Sequence, residues 1–288
     1  MLVFIRLFVI QIAITCFIQI ECNAQVDDFG QLAEKIKSCR DKIQSFDVEI
    51  SRITQIKKSA FMGLESCRMI VDRDLEIFFL ERSEKTLDSK KMRVGIDPSI
   101  NNRMEGKVER LLDTPEGLMM QIVPEPPRLV EKRLDPKKMD PLAFGLGVFG
   151  DLDSKRSHDE ILAGLCKWPS PMLSTESGII DCNFGNLKYR FDGSRDFWPI
   201  YHEYVNYDAQ RKVQLQSRCE LQLSNELGVW LPVSIQLETD QEMVNYELKW
   251  ASVNRGVEDK YLSPARFAAD AKMSLVTIDH LGRVHTVE

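Results

Sequence analysis

The sequence predicts a β-rich α+β fold, an antiparallel sheet curved around one or two helices. Three observations lead there. Apolar and polar side chains alternate through long runs between Ile180 and Trp250, and short turns separate the runs. Strands with one apolar and one wet face are those of meandering antiparallel sheets. Helical spacing appears in two short stretches, each with one apolar side, so each helix has one face to bury. No heptad array and no internal repeat of about 20–50 residues is visible, so neither a coiled coil nor a solenoid is indicated.

The chain opens on a lone Arg6, an apolar run from Leu7 to Ile20, and Cys22-Asn23-Ala24. This is the pattern of a secretory signal cleaved after Ala24. Gln11, Thr15 and Gln19 interrupt the run, and it is shorter than the ~20 apolar residues that span a bilayer. A periplasmic or secreted protein is expected, with no transmembrane span after cleavage; retention of the segment as an anchor is the alternative. Residues 25–288 are expected to form one domain. A two-domain alternative divides at Pro124–Pro141.

The mature chain begins with a helix predicted over 28–44. Phe29, Leu32, Ile36, Cys39 and Ile43 draw one stripe, and Asp27 and Asp28 offer capping oxygens. From Ser45 the period drops to two: Phe46, Val48 and Ile50 alternate with Asp47, Glu49 and Ser51, which predicts a half-buried strand. Further strands are predicted at 68–80, 92–96, 108–112 and 118–123, with a turn at Asp113-Thr114-Pro115-Glu116-Gly117. Pro124, Pro126, Pro127, Pro136 and Pro141 then exclude a central strand or helix interior. Leu142–Gly150 follows, apolar but broken by Gly145, Gly147 and Gly150. Ser157 and Glu160, at capping-box spacing, open a second helix with Ile161, Leu162 and Leu165 on its apolar side. A hairpin turning at Gly185-Asn186, an aromatic strand at Trp198–Tyr204 and three alternating strands carry the chain to Trp250. Residues 266–288 add a helix-like piece and a terminal hairpin.

The net charge of −6 is spread over mixed signs and gives no footprint for nucleic acid. Beyond the signal, Cys39, Cys67, Cys166, Cys182 and Cys219 are odd in number, and no two stand at CxxC spacing. That is neither a disulfide framework nor a zinc or redox motif. Cys39, Cys182 and Cys219 fall on apolar faces as small hydrophobes, and the choice of any bridge stays open. His158 suits a helix start better than a metal site. His202 sits on an aromatic strand where exposure would be unremarkable, and His280 and His285 flank a turn. Neither a Gly-x-Ser-x-Gly elbow nor a Ser-x-x-Lys set with its partner motifs occurs. Gly145–Gly150 spells G-x-G-x-x-G, but it follows a proline-rich loop and precedes Asp151 and Asp153, which repel phosphate. No catalytic signature remains, so a non-enzymatic protein without cofactor or metal is expected.

The candidate ligand-binding residues are Leu142, Phe144, Leu146, Val148, Phe149 and Trp198. They fit either core packing or a concave apolar pocket beneath a glycine-hinged flap.

The order of parts resembles the periplasmic lipoprotein-carrier family, the LolA/LolB-like half-barrels. Ile43-Gln44-Ser45-Phe46-Asp47-Val48-Glu49-Ile50 looks like that family's junction of amphipathic helix and first strand. Val108–Val123 and Leu142–Lys167 match its middle strands and its helix-bearing insertion. The proline-rich loop and the tail beyond Arg266 depart from the simple pattern. The resemblance implies an open half-barrel wrapped around the N-terminal and inserted helices. It also implies a binding protein that carries or senses a lipid, lipoprotein acyl chains or another apolar ligand in the cell envelope. The alternative is an envelope structural or interaction protein, with another envelope protein as partner and a filled concave face.

Overall fold

A computed structural model describes residues 28–58, 62–86, 107–130, 140–146, 157–168, 171–207, 213–278 and 283–287. The signal segment, the strand expected at 92–96 and His280 lie outside the described residues.

Helix α1 (Phe29–Asp41) is capped by the Asp28 side chain, which accepts from the Gln31 amide. The first meander is β1 (Ser45–Ile56), β2 (Met62–Asp72), β3 (Ile77–Thr86), β4 (Val108–Thr114), β5 (Gly117–Val123) and β6 (Arg128–Val130). Helix α2 (His158–Leu165) leads into the second: β7 (Met172–Glu176), β8 (Ile179–Asn183), β9 (Leu187–Asp192), β10 (Trp198–Tyr207), β11 (Val213–Ser224), β12 (Leu231–Thr239) and β13 (Glu242–Val253). Helix α3 (Pro264–Asp270), β14 (Val276–Ile278) and β15 (Val284–Thr286) close the chain.

All strands belong to one 15-stranded sheet, ordered β15-β14-β6-β5-β4-β3-β2-β1-β13-β12-β11-β10-β9-β8-β7. It is curved and open. The two meanders meet at its centre, where β1 pairs antiparallel with β13 along its length. The β6–β14 pairing is parallel. The protein is thus α+β and β-rich, an open curved sheet carrying helices.

Most boundaries follow from local chemistry. The continuous run expected at 68–80 is two strands. The Asp72 carboxylate accepts from the Leu75 amide at 3.0 Å, and Glu76 adopts a φ of 53°, so the chain reverses there. Within the proline-rich segment, the proline-free Arg128–Val130 forms the short β6, and the Pro127 carbonyl accepts from the Val276 amide. Ser157 and Glu160 form the full capping box of α2.

Both sheet faces are covered, by different elements. One face carries a central core from β1, β2 and β10–β13, including Val48, Ile50, Met69, Ile235, Val244 and Tyr246. Beside it, α1 and α2 pack Leu32, Ile36, Ile161 and Leu165 onto Cys182, Tyr189 and Phe191. The opposite face of β2–β5 presents the alternate residues Ile70, Phe79, Leu112 and Met119 to Tyr261, Phe267 and Leu275. The tail beyond Arg266 is therefore part of a second core, and it covers the face that the N-terminal helix leaves.

Candidate functional site

The segment 140–146 enters the fold as a plug. Pro141–Ala143 form one 3-10 turn, capped by the Asp140 carboxylate through the Leu142 amide at 3.0 Å. Leu142, Phe144 and Leu146 are buried, the first and last fully. Phe144 packs near Tyr246, with ring centroids 5.9 Å apart. Two side chains fix the backbone beyond. Tyr189 Oη donates to the Leu146 carbonyl at 2.6 Å, and His202 Nδ1 lies 3.1 Å from the Gly145 carbonyl. His202 is fully buried, not exposed, because it shares its sheet face with Tyr189 and Cys219. Burial drives the Tyr189 hydroxyl strongly upward in pKa, so it stays a neutral donor.

Trp198 is fully buried as well. Its indole N–H donates to the Trp230 carbonyl at 2.6 Å. The Arg40 guanidinium lies 3.4 Å from the Trp198 ring centroid, and Arg40 is itself fully buried. One guanidinium nitrogen donates to the Asp196 carbonyl at 3.1 Å, whereas Nε and Nη2 have no hydrogen-bond partner among the described residues. Burial lowers the Arg40 pKa to about 9. Of the six residues expected at the site, Leu142, Phe144, Leu146 and Trp198 thus pack inside the fold; Val148 and Phe149 lie outside the described residues.

The plug is tied to α2 through Asp140. Its carboxylate accepts from the His158 amide at 3.2 Å and meets His158 Nδ1 at 2.7 Å. Burial pushes the Asp140 pKa upward, but the His158 bonds and charge, with Arg73, outweigh it and hold the group below the usual carboxylate range. A depressed carboxylate pKa contributes stability above the unfolded value of about 3.9, and this is lost as pH falls through the folded value. Asp140→Asn is expected to cost about 1–3 kcal/mol at pH 7, as for hydrogen bonds to a charged group. The gap to the parent protein, read from chemical denaturation, should narrow below about pH 4. A gap constant down to pH 2 would show that the carboxylate charge contributes nothing.

Cys67, Cys182 and Cys219 are buried small hydrophobes, whereas Cys39 is partly buried and Cys166 exposed. All five described are unbridged, and burial pushes Cys67, Cys182 and Cys219 up to about 12.

An open cavity lies elsewhere on the face that holds the plug. Cross-strand registers trace it. One row runs Ile50–Cys67–Arg82–Glu109–Ile122, and a second runs Val48–Met69–Leu80–Leu111–Met120–Arg128. Both start in the central core and end in a groove of about 710 Å³ at the meeting of β4, β5, β6 and β14. Met120, Ile122 and Val130 give it half-buried apolar walls. Glu109, Glu116, Glu125 and Arg128 supply its charged groups. Its volume lies within the usual range for small-ligand sites, about 300–1,000 Å³. Among the described residues no cluster of His, Cys, Asp and Glu could hold a metal ion.

Sequence reasoning did not single out these groove residues. The available signal was in β5, where Leu118, Met119, Met120 and Ile122 put apolar side chains on both faces. A strand of that kind meets something on each side.

No family model matches the chain, and no curated protein matches it in sequence. Solved structures similar to it include a DUF1329 family protein from Desulfovibrio piger, at 10% identity and a TM-score of 0.42, covering 81% of this chain and 95% of that one. Another is an outer membrane lipoprotein-sorting protein domain from Vibrio parahaemolyticus, at 9% identity and a TM-score of 0.38, covering 81% of this chain and 97% of that one. The half-barrel architecture stands on the topology of the chain itself.

Proposed function

We propose that this chain is a non-enzymatic extracytoplasmic binding protein that holds an apolar ligand, such as a lipid or lipoprotein acyl chain, in the groove at β4, β5, β6 and β14. The groove itself carries the reading: about 710 Å³ of open space walled by Met120, Ile122 and Val130 at the end of an otherwise filled sheet face. Apolar walls with few polar groups are the usual composition of small-molecule sites. Methionine adds a flexible, polarizable surface that adapts to irregular chains. The signal-like N-terminus supports a place in the cell envelope.

A second reading rests on a separate observation. The plug and α1 fill the sheet face over β8–β13, which is what an envelope interaction protein without a ligand would show.

Uptake of the neutral dye N-phenyl-1-naphthylamine separates the two. The purified protein is expected to bind the dye with enhanced fluorescence. Met120→Trp, at a half-buried wall position, should fill the groove and weaken uptake about tenfold with little change in melting temperature. A parent protein that takes up no dye would favour the interaction protein.

A further inference from the structure

We infer that the groove selects amphiphiles whose head group is cationic, an ammonium on an apolar tail; this rests on the proposed apolar-ligand reading. The inference comes from the charges at the groove and from how they are already used. Arg128 is the one cation among its described lining residues, and Glu125 pairs with it at 2.6 Å. Glu109 lies opposite Arg82 on β3, but the Arg82 guanidinium is held by Glu65 at 2.7 Å and Glu84 at 2.5 Å. The carboxylates of Glu109 and Glu116 therefore have no ion-pair or hydrogen-bond partner among the described residues, the Glu116 amide alone donating to Thr114 Oγ1.

Two uncompensated carboxylates thus stand beside apolar walls. A sulfate, phosphate or carboxylate head placed there would meet like charge, with no free cation among the described lining residues to receive it. An ammonium would find two acceptors while its tail covers Met120, Ile122 and Val130. Low-dielectric walls strengthen that preference relative to open water.

The occupant is a small amphiphile rather than an extended peptide. The backbone edge of β6 at the groove is already taken by β14, through Val276 opposite Arg128 and Thr277 opposite Leu129. No free strand edge is presented there for a peptide to extend.

The test is competition for the groove dye by three amphiphiles with the same twelve-carbon tail, each below its micellar concentration: dodecyltrimethylammonium, dodecyl sulfate and dodecyl maltoside. The ammonium is expected to displace the dye about tenfold better than the sulfate at low salt, with the maltoside between them. The ratio should shrink in about 0.5 M salt, as screening of partly exposed charges requires. Glu109→Gln with Glu116→Gln should abolish the preference, read as displacement relative to the variant's own dye affinity, with the melting temperature in place. A second protein, Glu176→Gln with Glu226→Gln, makes the same change in net charge at exposed positions outside the groove lining. It should keep the preference, which separates the groove from general attraction to an acidic protein. Equal displacement by all three heads, or a preference lost equally in both double variants, overturns the cationic selectivity and leaves the apolar groove standing. Absence of dye uptake by the parent protein, with no heat of binding for dodecyltrimethylammonium in calorimetry, overturns both.

Discussion

Ile36→Asp is expected to destabilise the protein by about 3–5 kcal/mol, the cost of an uncompensated buried charge. Ile36 is fully buried at the centre of the α1 stripe, in one cluster with Leu32, Ile161, Leu165 and Tyr189. The neighbours packed on it, Leu32, Ile161 and Leu165, offer no hydrogen bond; the Tyr189 hydroxyl is already donated to the Leu146 carbonyl, and the Arg40 guanidinium one turn on is stacked against Trp198. The protein can protonate the carboxyl, detach the helix or unfold, and each costs stability. Thermal and urea unfolding of the parent and variant measure the loss. Because α1 also holds Arg40 over Trp198, detachment should appear as a change in tryptophan emission before global melting. Unchanged unfolding would mean that α1 stands free of the sheet.

Gly145→Ala is expected to cost about 2–4 kcal/mol, from two effects that act together. The residue has a φ of +77°, which L side chains rarely adopt. An added Cβ would also come within 2.8 Å of Pro199 Cγ and 2.9 Å of Leu221 Cδ1. Relief of that overlap would move the Gly145 carbonyl away from His202, or the plug away from β10 and β11. Gly164→Ala is the matched control, since its Cβ would meet nothing within 4 Å and it lies inside α2. That change should stabilise by up to about 1 kcal/mol, the helix-interior difference between the two residues. The sequence alone supports only the smaller cost of about 1 kcal/mol per glycine in a flexible segment. A Gly145→Ala protein as stable as the parent would show that segment 140–146 yields readily, as a flap would.

These two substitutions mark where sequence reasoning reached and where it stopped. The Ile36 stripe is legible because helical period and burial are coupled: one apolar face at 3.6-residue spacing has to be covered. The same logic placed β1 at Ser45, the Gly185-Asn186 turn and the Ser157–Glu160 capping box, each of which depends on neighbours a few residues away. Gly145 differs. Its sign of φ and its contacts with Pro199 and Leu221 come from β10 and β11, more than fifty residues along the chain.

The groove was hidden for the same reason. Glu109, Ile122 and Arg128 carry no motif, and the register of β4, β5 and β6 brings them together. His202 shows the point on one side chain. Its strand was evident from alternating aromatics, but which face of that strand is covered depends on the plug arriving from residues 140–146. Buried Arg40 shows it again, since the last turn of a surface helix usually keeps a cation in water, and here Trp198 receives it.

By itself, then, the sequence determined a β-rich chain of alternating strands, two capped helices and the resemblance in their order. Period, capping and turn chemistry are local, and local interactions are written in adjacent residues. The tertiary structure decided which strand neighbours which, that α3 covers the second face, and that open space remains at β5 and β6. Those outcomes depend on packing between segments far apart in the chain, where side-chain volume and register choose among arrangements that the local pattern leaves equivalent.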